Sequence, residues 1–198
     1  MQFNDCECHW CRTLQWPLLY NLDGEQHWFE IPRSCSVTVK ETFPDKKQVF
    51  RDDPEYKEVE EPIVIYTDPV VRFISCINAY ITPHQRYYAY GQDIYQSFGR
   101  DLNVLSKQQK IDLFFENMDK ILSKHQVHHF HPQTKFIDTD SFDSFEVLER
   151  ADVSYFFGVY KIHNETRKDI TIDDLSEEQI SIVKELYQSD YDFFEKYG

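Results

Sequence analysis

His27-Trp28-Phe29-Glu30-Ile31-Pro32-Arg33-Ser34-Cys35-Ser36-Val37-Thr38-Val39-Lys40 is the stretch that decides the fold. Its first five residues read as a strand that stops at Pro32, where the ladder loses a donor. A loop of small hydroxyl residues follows, and then a short helix through Val39. A strand, a loop and a helix in that order turn backbone N–H groups and the positive end of the helix dipole toward an anion. Ser34, Ser36 and Thr38 add hydroxyl donors, Arg33 adds a charge-assisted fork, and Lys40 adds a second cation. An ordinary strand-to-helix turn with polar capping residues has the same appearance, so both readings stand on this stretch alone.

Working outward, Ile63-Val64-Ile65-Tyr66 is a continuous apolar run between Pro62 and Asp68-Pro69, the pattern of a strand buried on both faces. Asp68 and Pro69 form a helix start, a carboxylate cap followed by the one ring tolerated at the first helical position. That helix should bury Val70, Phe73, Ile74, Ile77 and Ile81, and it carries Arg72, Ser75 and Ala79 on another face toward the strand ends. Ligands bind at the carboxyl ends of parallel strands in α/β sheets. Two such strand ends with anion-binding residues suit a ligand with phosphates at both ends. Val49 and Phe50 read as a short, weak strand. Ser106-Lys107-Gln108-Gln109 and Ser176-Glu177-Glu178-Gln179 are capping boxes. They open amphipathic helices with apolar stripes at Ile111, Phe114, Phe115, Met118 and Leu122, and at Ile180, Val183, Tyr187, Tyr191 and Phe194. The alternation of strands and helices predicts an α/β fold with a central, largely parallel sheet flanked by helices.

The 198 residues suit a single domain, residues 1–26 forming a cysteine-containing leading segment and 27–198 the core. With 21 basic against 35 acidic residues the net charge is −14, which excludes general nucleic-acid binding by phosphate neutralisation. The acidity concentrates in residues 138–198, which hold 16 acids and 6 bases, so an anion is expected to bind earlier in the chain. Asp52, Asp53, Glu55, Glu58, Glu60 and Glu61 read as a solvated loop, with a cation site as the alternative. Only five glycines occur and none lies between Glu25 and Tyr90, which removes both common glycine-rich phosphate cradles. The odd count of five cysteines argues for a reducing compartment. No leader pattern opens the chain and no apolar run nears the ~18 residues that span a bilayer, so a cytoplasmic protein without a membrane partner is expected.

Several segments, in order, resemble one family, the sulfotransferases that use 3′-phosphoadenosine-5′-phosphosulfate (PAPS). Pro32 to Thr38 is similar to the family's 5′-phosphosulfate loop, where proline and lysine precede small and hydroxyl residues. Asp68-Pro69-Val70-Val71-Arg72-Phe73-Ile74-Ser75 is similar to its 3′-phosphate motif. His129-Phe130-His131-Pro132-Gln133 resembles the H-x-x-P-Q segment of the carbohydrate-type branch, and His163-Asn164-Glu165-Thr166 a late N-x-S/T element. Leu186 to Phe194 resembles the closing helix, in which a leucine-tyrosine pair precedes an aspartate and an aromatic.

The resemblance implies a P-loop-type sulfotransferase-like fold. It implies that Arg33, Ser34, Cys35, Ser36, Val37 and Thr38 bind the 5′-phosphosulfate and that Arg72 and Ser75 bind the 3′-phosphate. Asn164 and Thr166 fall near the nucleotide, and no metal is required. Arg33 takes the place of a lysine that reaches the bridging oxygen as the sulfuryl group leaves for an acceptor hydroxyl of a carbohydrate or small molecule. Arginine keeps the charge but cannot hand over a proton. Cys35 replaces glycine or alanine, Val37 a hydroxyl residue, and Thr67 an arginine, so a catalytically impaired nucleotide- or protein-binding protein is the alternative. The general base is expected at His129 or Glu41. The short span between Lys40 and Thr67 implies a trimmed acceptor-binding insertion.

Two metal readings compete. Cys6, Cys8, His9 and Cys11 supply the ligand types for one tetrahedral zinc, although no second cysteine pair follows. His125, His128, His129 and His131 have the ligand type of a metal hydrolase without the helical pair flanking a glutamate.

Overall fold

Strands β2 (His27–Phe29) and β4 (Ile63–Tyr66) are apolar on successive residues because both of their faces are covered. In a computed structural model of the chain, which describes residues 17–85, 87–124, 128–159 and 169–198, Trp28, Ile63 and Ile65 enter one core and Phe29 and Val64 the other. The two-residue period of a strand divides these neighbours between opposite sides. On the first side they meet Val39 of helix α1 (Ser36–Thr42) and Val153 of α7 (Val153–Phe156). On the second they meet Tyr56 of α2 (Pro54–Glu58) and Phe193 of α9 (Gln188–Tyr197), with Phe136, Phe142 and Phe145. Each fully buried aliphatic or phenyl side chain there contributes about 1.5–3 kcal/mol.

The sheet is five-stranded and mixed, in the order β3-β1-β2-β4-β5, with β1 at Leu19–Asn21, β3 at Lys47–Val49 and β5 at Glu146–Glu149. β2 runs parallel to β4, and β4 parallel to β5, with Ile63 opposite Glu146. β1 is antiparallel to both of its neighbours. The largely parallel sheet expected from sequence therefore holds for one half only. The other half is antiparallel because β1 and β2 form a hairpin around Asp23-Gly24, where Gly24 takes φ 102° and Asp23 accepts from the N–H groups of Glu25 and Gln26.

The described chain divides into two compact units. The sheet unit is drawn from residues 17–68, 132–159 and 187–198, and the helical unit from 69–131 and 169–186. In the sheet unit the buried Asp138 accepts from the Tyr56 hydroxyl at 2.6 Å and pairs with Arg51 at 2.9 Å, tying α2 to the segment before β5. The helical unit holds α3 (Pro69–Ile81), α4 (Tyr88–Gln96), α5 (Lys107–Glu116), α6 (Met118–Lys124) and α8 (Glu177–Leu186).

The expected stripe of α3 is buried as predicted, and Arg72 and Ala79 are buried as well. Phe73 meets Phe114, Phe115 and Phe130 with ring centroids 5.4–5.9 Å apart. Gly91 of α4 lies so near Tyr80 that a β-carbon there would stand 1.9 Å from the Tyr80 carbonyl oxygen. Asn78 is held on both sides: its amide nitrogen donates to the carbonyls of Ile74 and Ile170, and its oxygen accepts from Ile170 N–H at 2.9 Å and from the Thr82 hydroxyl. Both capping boxes form. Each long stripe breaks once, at Asn117 and at Tyr187, so Phe193 rather than Phe194 is the phenylalanine buried in the last helix, beside Asp190. Among the described residues, no helix is long and apolar enough to cross a membrane.

Candidate functional site

The loop after β2 turns within four residues. Ser34 N–H donates to the Ile31 carbonyl at 3.1 Å, and Val39 N–H to the Cys35 carbonyl at 3.1 Å. Arg33 at φ 69° and Cys35 at φ 57° lie in the left-handed region. For residues with a β-carbon that region costs about 1–2 kcal/mol each. Sequence composition explains who bears the strain: no glycine is placed here, so an arginine and a cysteine do. Cys35 is the N-cap of α1, makes no side-chain capping bond, and packs its side chain with Trp28, Val39 and Ile63. A left-handed residue followed by the helical Ser36 swings successive N–H groups toward one side, the backbone geometry of an anion-binding nest. Ser36 and Val37 are half-buried at its mouth, and Thr38 is buried.

Beneath the loop is a buried polar network entirely within the sheet unit. The Ser34 hydroxyl donates to Gln133 Oε1 at 3.0 Å, and Thr67 N–H donates to the same oxygen at 3.2 Å. Gln133 Nε2 donates to the Thr67 carbonyl at 2.8 Å. Asp190 of α9 accepts from Gln133 N–H at 2.8 Å and from Thr134 N–H at 3.0 Å, with the Thr134 hydroxyl at 3.2 Å. Ser34, Gln133 and Asp190 are all 0% exposed. Sequence reasoning places Gln133 and Asp190 inside two motifs but gives neither a role. A signal exists: both stand within a few residues of several aromatics, and a polar side chain that such neighbours bury needs a partner.

Lys40, the second cation expected to help the loop, has other partners. Lys40 forms an ion pair with Glu30, and its ammonium lies 5.8 Å from the Tyr20 ring centroid. Burial, and then the nearby Glu30 carboxylate, push the Tyr20 phenol up to about 12. Glu41 is exposed on α1.

In the helical unit, Arg72 is 1% exposed and donates from Nη1 to the His131 carbonyl at 2.7 Å, while Ser75 lies half-buried one turn on. His129 sits on the 3₁₀ turn His128–Phe130 with Nδ1 3.1 Å from the Tyr80 hydroxyl and its ring 4.6 Å from that of Tyr87. Its carbonyl accepts from Cys76 Sγ. The structure thus groups Arg33 to Thr38 in one loop, and Arg72, Ser75 and His129 around α3. Asn164 and Thr166 lie outside the described residues, as do Cys6, Cys8, His9, Cys11 and His125. Among the described residues, no three His, Cys, Asp or Glu side chains come together as a metal site.

No family model, curated protein or solved structure matches this chain. What the loop can do chemically therefore rests on its own geometry. It can surround a tetrahedral anion with backbone donors and the Ser36 hydroxyl, beside the Arg33 charge.

Proposed function

We propose that the chain is a PAPS-dependent sulfotransferase with a P-loop-type sulfotransferase-like fold, moving the sulfuryl group to an acceptor hydroxyl of a carbohydrate or small molecule in the cytoplasm. The observation that carries this reading is the glycine-free nest at Cys35-Ser36, at the carboxyl end of a parallel strand. In this reading the loop's N–H groups and Ser36 receive the 5′-phosphosulfate, and Arg33 balances the charge growing on the bridging oxygen as the sulfur–oxygen bond lengthens. The acceptor oxygen attacks in line and gives its proton to His129 or Glu41. Arg72 and Ser75 take the 3′-phosphate, with Asn164 and Thr166 beside the nucleotide. The scheme needs no metal.

A second reading, a nucleotide- or protein-binding protein impaired in catalysis, is favoured by one specific observation. Arg33 cannot supply the proton a lysine gives to the leaving group, and its own backbone is held at φ 69°. Calorimetric titration with 3′-phosphoadenosine-5′-phosphate tests nucleotide binding, and transfer from radiolabelled PAPS to an acceptor panel separates the two readings. Folded protein that binds no nucleotide sinks the enzyme; binding without transfer selects the impaired form.

A further inference from the structure

Resting on the loop's proposed role, we infer that Gln133, anchored by Asp190, is a positioning residue that holds Ser34 inward, so Ser34 serves the loop and ligand contacts fall to Ser36 and the neighbouring N–H groups. The Gln133 amide has only one workable orientation. Its oxygen faces two donors, the Thr67 N–H and the Ser34 hydroxyl, and its nitrogen faces the Thr67 carbonyl at 2.8 Å. Flipped, it would set N–H against N–H and carbonyl against carbonyl at Thr67. Both lone pairs of Oε1 are thereby used. Asp190 in turn fixes the backbone from which this amide projects, through Gln133 N–H at 2.8 Å and Thr134 N–H at 3.0 Å.

The consequence for Ser34 is an accounting of protons. A serine has one hydroxyl proton and one backbone N–H. The first goes to Gln133 Oε1 and the second to the Ile31 carbonyl at 3.1 Å. With both donors engaged inside the protein and the residue 0% exposed, a phosphate oxygen approaching Ser34 Oγ meets only lone pairs. Ser34 is therefore removed from the ligand-contacting set that the motif resemblance implied. Its bond to Gln133 ties the loop to the end of β4 at Thr67.

The test compares Ser34→Ala, Gln133→Leu and the double variant by two readouts. The first is hydrogen exchange of the peptide 31–40 in the free protein. The second is affinity for 3′-phosphoadenosine-5′-phosphate. Loss of one buried hydrogen bond should speed loop exchange by about tenfold in Ser34→Ala, with peptides covering β1 and β3 unchanged. Adding Ser34→Ala to Gln133→Leu should change neither exchange nor affinity further, because both variants remove the same bond. Additive losses of affinity would mean that Ser34 touches the ligand directly and would overturn the inference, as would loop exchange at the wild-type rate in Ser34→Ala. Ser34→Ala deletes one hydroxyl and keeps every backbone bond, so it decides the matter even where Gln133→Leu does not fold. If the wild type binds no nucleotide, the sulfotransferase reading fails by itself, and loop exchange in Ser34→Ala still decides whether Gln133 holds Ser34.

Discussion

Replacing Asp190 should destabilise the sheet unit more than any exposed carboxylate could, and the size follows from its contacts. Asp190→Ala leaves the N–H groups of Gln133 and Thr134 without this acceptor, the first on a residue that is 0% exposed and the second on one that is half-buried. An unsatisfied buried donor costs about 1–3 kcal/mol, more where the lost acceptor was charged, and the half-buried one costs less because water reaches it, so the pair together comes to about 2–4 kcal/mol. That is a large share of the roughly 5–15 kcal/mol that holds a domain folded. Asp190→Asn keeps one acceptor oxygen but turns an NH₂ group toward the second donor, which predicts about half the loss. Urea unfolding followed through Trp28, with Trp10 and Trp16 replaced by phenylalanine, reports on the sheet unit because Trp28 lies in its core. At a typical urea slope of about 1–3 kcal/mol/M, Asp190→Asn should lower the midpoint by about 1 M without changing the slope. An unchanged midpoint for Asp190→Ala would refute the claim that this carboxylate holds the network.

Other perturbations probe separate features. Gly91→Ala should unfold or strongly destabilise the helical unit, by about 2 kcal/mol or more, since its β-carbon would fall 1.9 Å from a backbone oxygen of α3; a thermal melt indistinguishable from wild type would contradict that contact. His84→Gly, at φ 67° on an exposed turn, should raise the stability of the protein by about 0.5–1 kcal/mol by relieving its left-handed backbone; a thermal midpoint at or below that of wild type would contradict this. Acid should destabilise through Glu55 and Asp174. Hydrogen bonds from Asn21 and His27, and from Lys107, hold their carboxyls below the ordinary range, so their stabilisation is present above the unfolded value and is lost as pH falls below about 4. Glu146 has the opposite sign. Burial, and then Glu61, raise its pKa, so Glu146→Gln should stabilise the protein at pH 7 and lose that advantage in acid; a loss of stability at pH 7 would contradict the assignment.

β2 and β4 were legible because burial on both faces leaves an apolar run that no surface strand shows, and the start of α3 because a capping residue and proline stand side by side. β1 was missed although Asp23-Gly24 announces a hairpin, since Leu19-Tyr20-Asn21 is too short to show alternation. β5 was missed because Glu-Val-Leu-Glu puts two apolar residues side by side with no alternation, at the sheet edge. The break at Asn117 is local chemistry that periodicity overlooks: its side chain bonds back to the Leu113 carbonyl at 2.9 Å and its N–H is shared among carbonyls of the last turn. The loop itself was readable from residue types. Its support was not, because hydrogen bonds from Ser34 to Gln133 and from Gln133 to Asp190 leave no trace at any fixed spacing along the chain.

Those two bonds join residues 99 and 57 positions apart, which constrains the order in which the molecule can assemble. Hairpin β1–β2 closes a short loop and forms early, whereas the support of the loop waits for two long closures and for the docking of α9. During synthesis, a chain extended only to β5 already holds all five strands yet lacks the carboxylate that orients Gln133. In refolding, hydrogen-exchange protection of the loop over residues 31–40 should therefore trail the burial of Trp28.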